Sequence, residues 1–236
     1  GKYTGGITGY SYTDVTNCSL TNVTVKGGYK LGGVIGYIAA ESGTGDVTGN
    51  TLTDCTVDGI GGGVYAGGKN EYVIGKVVGN YNCNGTCSGN TVTRMTTGAT
   101  QIIGKTEAGK TVTVENNVMG VSSWDELKTS IVNGDIIVLD NDITVDKWIM
   151  FSEDRNIGDG TIITIKEINV TIDGKGHTLT INAIESAGNG DFLFQGASNL
   201  NISNLTLKYA DGLKTGGLGL VSGVIEKVHF VGGGAS

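Results

Sequence analysis

The residues able to do chemistry are few and thinly spread. Four acids crowd one stretch, Asp135, Asp140, Asp142 and Asp146; two histidines, His177 and His229, stand in DGKGHTL and KVHF; Arg94 and Arg155 are the two arginines. Glycoside hydrolysis needs a pair of carboxyl groups facing one cleft, but these acids flank apolar strand-like runs, where turns favour aspartate. They read as turn residues. Both histidines are expected on the surface, since neither has a Ser/Asp or Cys partner that the sequence can assign, and no HExxH run is present. Of the cysteines, Cys55 and Cys18 align with Val23 and Asn50 in the repeats below and are expected to face inward as small fillers, with a Cys18–Cys55 bridge as the alternative. Cys83 and Cys87, in NCNGTC, sit in an expected turn and could close a disulfide loop; a metal site would need more donors than that segment shows. No catalytic residue, cofactor or metal is assigned, and the chain reads as a non-enzyme.

Those residues must be positioned by a chain of unusual composition. It has 236 residues, with 42 glycines, no proline, 38% hydrophobic and 17% charged residues. So few charges with that apolar content argue for a packed, turn-rich fold rather than disorder. The net charge of −7 speaks against nucleic acid, because no basic stripe exists to replace counterions on phosphates, and against anionic membranes. No apolar run approaches the roughly 20 residues of a membrane span, and residues 1–20 carry no signal-peptide apolar region. The chain opens in mid-pattern at GKYTGGITGY, which reads as a processed or excised form.

Repetition dominates. One phrase recurs as Leu20-Thr-Asn22-Val23-Thr-Val25, Leu52-Thr-Asp54-Cys55-Thr-Val57, Val92-Thr-Arg94-Met95-Thr-Thr97, Ile202-Ser-Asn204-Leu205-Thr-Leu207 and Ile225-Glu-Lys227-Val228-His-Phe230. Its last three positions alternate in and out as a half-buried strand does, and the polar third position is where the strand bends. A second phrase alternates with it: GGITGY at 5–10, GGVIGY at 32–37, with GGVYAGG at 62–68, QIIGK at 101–105 and GGLGLVSG at 216–223 in the same slot. Glycines beside short apolar strands allow tight corners and close backbones. Two different strand phrases in strict alternation suit stacked coils better than hairpins. The expected fold is all-β, a parallel β-helix (solenoid) with one short capping α-helix near 123–133. There Ser123 and Glu126 form an S-x-x-E capping box, Trp124, Leu127 and Ile131 share one helical face, and Gly134 is the stop.

The alternating GG-[VI]-x-G and N/D-[VC]-x-V phrases resemble the GLUG-type repeats of bacterial surface proteins. SWDELKTSIVNGDIIVLDNDITV followed by VTIDGKGHTLTI resembles the first coils of pectate-lyase-like β-helices in large adhesin-like proteins. The resemblance implies a right-handed β-helix and an extracellular, cell-surface location. It is weak for activity, because that fold hosts lyases, hydrolases and inert stalks alike. The lyase members use Ca²⁺-binding acids with an arginine in an Arg-Pro motif, which a chain without proline does not contain.

Residues 1–118 then read as later coils of a β-helix, and 122–236 as a capping helix with the first coils of a second unit. The link between them spans about 14 Å at most, too short to carry the first half to the far end of a stack on the order of 50 Å long. Between copies, VIEKVHFVGGGAS runs into GKYTGGITGYSYTDV without a missing phrase. Two readings stand: an excised piece of a tandem array, which is favoured, or a filament subunit completed head-to-tail by a neighbouring copy. The functional expectation is a non-enzymatic extracellular β-helix module of an adhesin-like surface protein, serving as stalk, adhesive or assembly unit. A polysaccharide-active lyase or hydrolase is the alternative. The expected partners are neighbouring β-helix modules or copies of itself. Surface glycans would be met by Tyr65 and Tyr72, while Tyr10 and Tyr37 are expected to pack at equivalent corners of successive coils. Thr-x-Thr pairs at Thr51/Thr53, Thr91/Thr93, Thr111/Thr113 and Thr178/Thr180 are too unevenly spaced to predict a regular array.

Overall fold

The computed structural model describes residues 2–40, 44–60, 72–133, 135–145, 149–151, 161–163, 170–181, 194–195, 199–210 and 222–232. Among the described residues the protein is mostly β with one helix, every strand pairing is parallel, and the strands lie in stacked sheets. The chain divides into two compact units, Gly1–Gly120 and Val121–Ser236.

In the first unit each circuit of the chain adds one strand to each of several sheets. Tyr3–Gly5, Lys30–Gly32 and Val73–Gly75 stack with Gly5, Gly32 and Gly75 in register. Thr8–Ser11, Ile35–Ile38, Val78–Tyr81 and Ile103–Thr106 form the next sheet. Leu20, Leu52 and Val92 align in a third, and Val25, Val57 and Thr97 in a fourth. The inward rank of the repeated phrase makes the core: Leu20, Leu52, Cys55 and Val92 pack with Val34, Ile35, Val77, Val78 and Met119.

The third position of each phrase is where the chain turns. Asn22, Asp54 and Arg94 in this unit, and Asn204 and Lys227 in the second, all have φ between 49° and 57°. That left-handed conformation is tolerated best by Asn and Asp. The glycine phrase of the third circuit differs from expectation. GGVYAGG at 62–68 lies outside the described residues, and the slot beside Lys30–Gly32 is held by Val73–Gly75, whose flanking Val73, Val77 and Val78 are buried.

A polar spine seals one corner. Asn50, Asn90 and Asn117 are buried, and each Oδ1 accepts from the backbone N–H of its counterpart one circuit earlier, at 3.0 Å for Cys18, Asn50 and Asn90. Their Nδ2 groups donate to the carbonyls of Val15, Val47 and Cys87 at 3.0, 2.9 and 2.8 Å. Backbone groups left unpaired by the turn thus find partners inside the protein, as buried polar groups must.

In the second unit Ile136–Leu139, Val170–Asp173 and the first half of Leu200–Tyr209 stack in parallel, as do Ile143–Val145, Thr178–Ile181 and its second half. Ile225–Gly232 follows Leu200–Tyr209 in register. The helix Trp124–Asn133 starts where expected, with Ser123 Oγ accepting from the Glu126 N–H at 3.2 Å. The return half of the box is shifted by one residue: the Glu126 carboxylate takes the N–H and hydroxyl of Ser122 at 2.8 and 2.9 Å. Trp124, Leu127 and Ile131 join the core of this unit with Ile137, Leu139 and Ile172, while Gly134 lies outside the described residues.

Candidate functional site

Two sheets of the first unit meet almost backbone to backbone. A Cβ on Gly32 would lie 2.6 Å from the Gly79 nitrogen, and one on Gly36 would lie 2.4 Å from the Thr4 nitrogen. Only glycine permits that approach. Side chains are therefore excluded from the seam and gather where the strands diverge. Tyr10, Tyr37, Asn80 and Lys105 occupy successive rungs of one outward rank. From the facing sheet, Tyr3 stacks on Tyr37 at 4.8 Å between ring centroids. Tyr10 lies 5.4 Å from Tyr3, 5.0 Å from Tyr37 and 4.6 Å from the exposed Tyr12. Such offset aromatic contacts are favourable beyond their buried area.

Beside the rings is a charged group. The buried Lys30 holds its Nζ 4.5 Å above the centre of the Tyr37 ring and 3.2 Å from Glu107 Oε1. The same Oε1 accepts from Asn80 Nδ2 at 2.7 Å, and Oε2 pairs with Lys105 at 3.3 Å. Asn80 is wholly buried, and its Oδ1 has no hydrogen-bond partner. Asn82 Nδ2 donates to the Tyr37 hydroxyl at 2.6 Å. Burial, helped by Tyr12, pushes the Tyr10 phenol up to about 12. Burial raises Glu107 as well, but hydrogen bonds and charge from Lys30 and Lys105 outweigh it and hold the carboxyl below its usual range. The corner combines half-buried aromatic faces, two amines and a carboxylate, a set able to stack on and hydrogen-bond a sugar.

Of the acids that sequence singled out, Asp142 does structural work with its side chain, and Asp140 and Asp135 are fixed through their backbone N–H groups. Asp142 Oδ1 accepts the Thr178 N–H at 2.9 Å and meets His177 Nδ1 at 3.3 Å, tying one circuit to the next. The Asp140 N–H donates to Val121 O at 2.9 Å, and that of Asp135 to Ser130 O at 3.1 Å after the helix. Asp146, Arg155 and Tyr65 lie outside the described residues. His229 is exposed on Ile225–Gly232. Arg94 pairs with Asp54 of the preceding circuit through Nε and Nη2 at 2.7 and 2.8 Å. Tyr72 is exposed and stands over Gly59. Among the described residues no group of three or more His, Cys, Asp or Glu gathers as a cation site, and no helix is long and apolar enough to cross a membrane.

All four cysteines are free, so the loop closure that the spacing of Cys83 and Cys87 would allow is not made. Cys87 sits in a strand rather than a turn, in register between Val47 and Val114, and burial raises its thiol to about 12. Cys83 is buried as well, so both act as core filler. Cys55 is buried as expected, whereas Cys18 is only half-buried at the first rung of the asparagine spine.

Sequence reasoning missed a different acid, Asp173. Its Oδ1 accepts from the Lys175 N–H at 2.9 Å and from Asn204 Nδ2 at 3.1 Å, and Oδ2 pairs with Lys175 Nζ at 3.0 Å. Burial raises this carboxyl, but those bonds prevail and lower it. A carboxyl depressed on folding stabilises the protein above its unfolded pKa, and that stability is lost as pH falls through the folded value. Asp173→Asn should therefore lower stability at neutral pH by about 1 kcal/mol and flatten the acid limb of the pH–stability curve. Denaturant midpoints across that range check both.

It also missed regular threonine ranks. Thr53 and Thr93 align one above the other, with Thr21 next in the rank, and their hydroxyls meet at 3.4 Å for the first pair. Loops of unequal length absorb the uneven spacing seen along the chain.

No curated protein and no solved structure matches this chain. Residues 118–223, which hold the helix and the strands from Ile136 to Tyr209, match the family model described as "Putative pectate lyase-like adhesive domain".

Proposed function

We propose that this chain is an extracellular, non-enzymatic adhesive module of a bacterial surface protein, built as a right-handed parallel β-helix with GLUG-type coils in its first unit. The similarity of residues 118–223 to an adhesive family carries the reading. It is supported by what two described acids of that stretch bind: Asp142 and Asp173 accept from the backbone N–H groups of Thr178 and Lys175. Its partners are further β-helix modules, in tandem or as copies head-to-tail. Surface glycans are the adhesive target, met by Tyr10, Tyr12 and Tyr37.

Purified protein on beads should bind a panel of immobilised cell-surface glycans and release no sugar from them. Tyr12→Ala should weaken binding about tenfold, the loss of one stacking ring of about 1.4 kcal/mol. Unsaturated or reducing ends released from polygalacturonate would sink the non-enzymatic reading. Failure to bind any glycan would remove the adhesive role.

A further inference from the structure

We propose that Lys30 and Asn80 become joined by an amide bond formed within the folded chain, with Glu107 as the proton carrier. The two side chains come from strands 50 residues apart, Lys30 on Lys30–Gly32 and Asn80 on Val78–Tyr81. Lys30 Nζ and Asn80 Nδ2 share one acceptor, Glu107 Oε1, at 3.2 and 2.7 Å, which sets the amine and the carboxamide side by side. Lys30 and Asn80 are both buried, under the Tyr37 ring and Glu107. The Asn80 carbonyl oxygen has no hydrogen-bond partner.

The reaction needs no cofactor and no oxidant. Lys30 Nζ gives a proton to Glu107, and the freed lone pair attacks Cγ of Asn80. A tetrahedral centre forms, Glu107 passes its proton to the amide nitrogen, and the bond from Cγ to that nitrogen breaks; the surplus proton on the attacking nitrogen follows through the same carboxylate to the departing ammonia, which leaves as ammonium. The amine and carboxamide become one secondary amide plus ammonium, and the carboxylate is regenerated. Three features favour it. Fixed side chains replace a bimolecular encounter, which is worth several orders of magnitude in effective concentration. Burial limits competing hydrolysis by water. The product also removes a buried positive charge and the desolvation cost it carries. Loss of ammonia to solvent makes the step one-way, so slow chemistry still goes to completion. The bond would staple two circuits across the glycine seam, beside the aromatic corner. This proposal stands independently of the adhesive reading.

The test is the intact mass of the full chain after purification, followed by a peptide map. The wild type should be lighter than its sequence by one ammonia and should yield a branched peptide joining the Lys30 and Asn80 segments. Lys30→Arg, Asn80→Ala and Glu107→Gln should each show full mass and no branched peptide. Glu107 is partly exposed, so Glu107→Gln is expected to fold. Circular dichroism matching the wild type would show that its full mass reports lost chemistry rather than misfolding. A wild type of full mass after prolonged incubation would overturn the proposal and leave an ion-paired cluster. So would an ammonia loss that persists in Asn80→Ala, which would place it at a succinimide, for which Asn84–Gly85 is the nearest candidate.

Discussion

Asn90→Ala is expected to destabilise the first unit by about 4 kcal/mol, because two or three buried polar groups lose their partners at about 1–3 kcal/mol each. Asn90 is the central rung of the spine and is fully buried. Its Oδ1 accepts from the Asn50 backbone N–H and side chain at 3.0 and 2.9 Å, and its Nδ2 serves Val47 O and Asn117 Oδ1, each at 2.9 Å. Alanine keeps the backbone bond to Asn117 but strands the Asn50 N–H and the Val47 carbonyl where water does not reach. Urea denaturation followed by circular dichroism measures the loss. A shift below 1 kcal/mol would show that water enters the turn and replaces the side chain. Asn90→Asp sharpens the test. Its second oxygen would face Val47 O and Asn117 Oδ1, so the carboxylate is opposed on burial and its folded pKa is raised. The destabilisation should then shrink as the pH falls and the carboxyl is protonated.

The same spine shows why parts of this fold were legible in sequence and others were not. The repeated phrase announces itself because its signals are local. Asn22, Asp54 and Arg94 turn the chain where a polar residue interrupts an apolar alternation, and Leu20, Leu52 and Val92 fill the core on the phase the alternation gives. Ser123, Trp124 and Leu127 were readable for the same reason, since a helix start is written within four residues. The spine depends on equivalents one circuit away, at separations of 32, 40 and 27 residues. Unequal loops hide that regularity. A signal did exist: Gly49-Asn50-Thr51 and Gly89-Asn90-Thr91 repeat a short motif that precedes two equivalent strands. Lys30, Asn80 and Glu107 carry no such mark. They are brought together by three different circuits, with 77 residues between the lysine and the carboxylate. Cys87 failed differently, because NCNGTC has the composition of a turn while Gly85–Ser88 is a strand; the demand of the ladder overrode local propensity.

Gly32→Ala is the second large effect, and it separates packing from conformational preference. Gly32 has no positive φ, so alanine is permitted by its backbone angles and would ordinarily stabilise a chain slightly by restricting the unfolded state. Space forbids it. The added methyl would sit 2.1 Å from Ile35 O, 2.6 Å from Gly79 N and 2.6 Å from Val77 O. All three are backbone atoms, those of Ile35 and Gly79 in paired strands and that of Val77 in the bend before the second of them, with no flexible side chain to move aside. Relief requires the two sheets to part, breaking the seam that holds Lys30 against Asn80. A loss of about 4 kcal/mol or more is expected, the upper range for a single substitution, and the first unit should no longer unfold cooperatively. Gly98→Ala is the control, since its Cβ would meet nothing within 4 Å and its φ is not positive; its stability should stay within about 0.5 kcal/mol of wild type. Thermal melts of both proteins decide the matter. If Gly32→Ala melts like Gly98→Ala, the sheets do not touch through glycine, and the corner is held by its tyrosines and ion pairs alone.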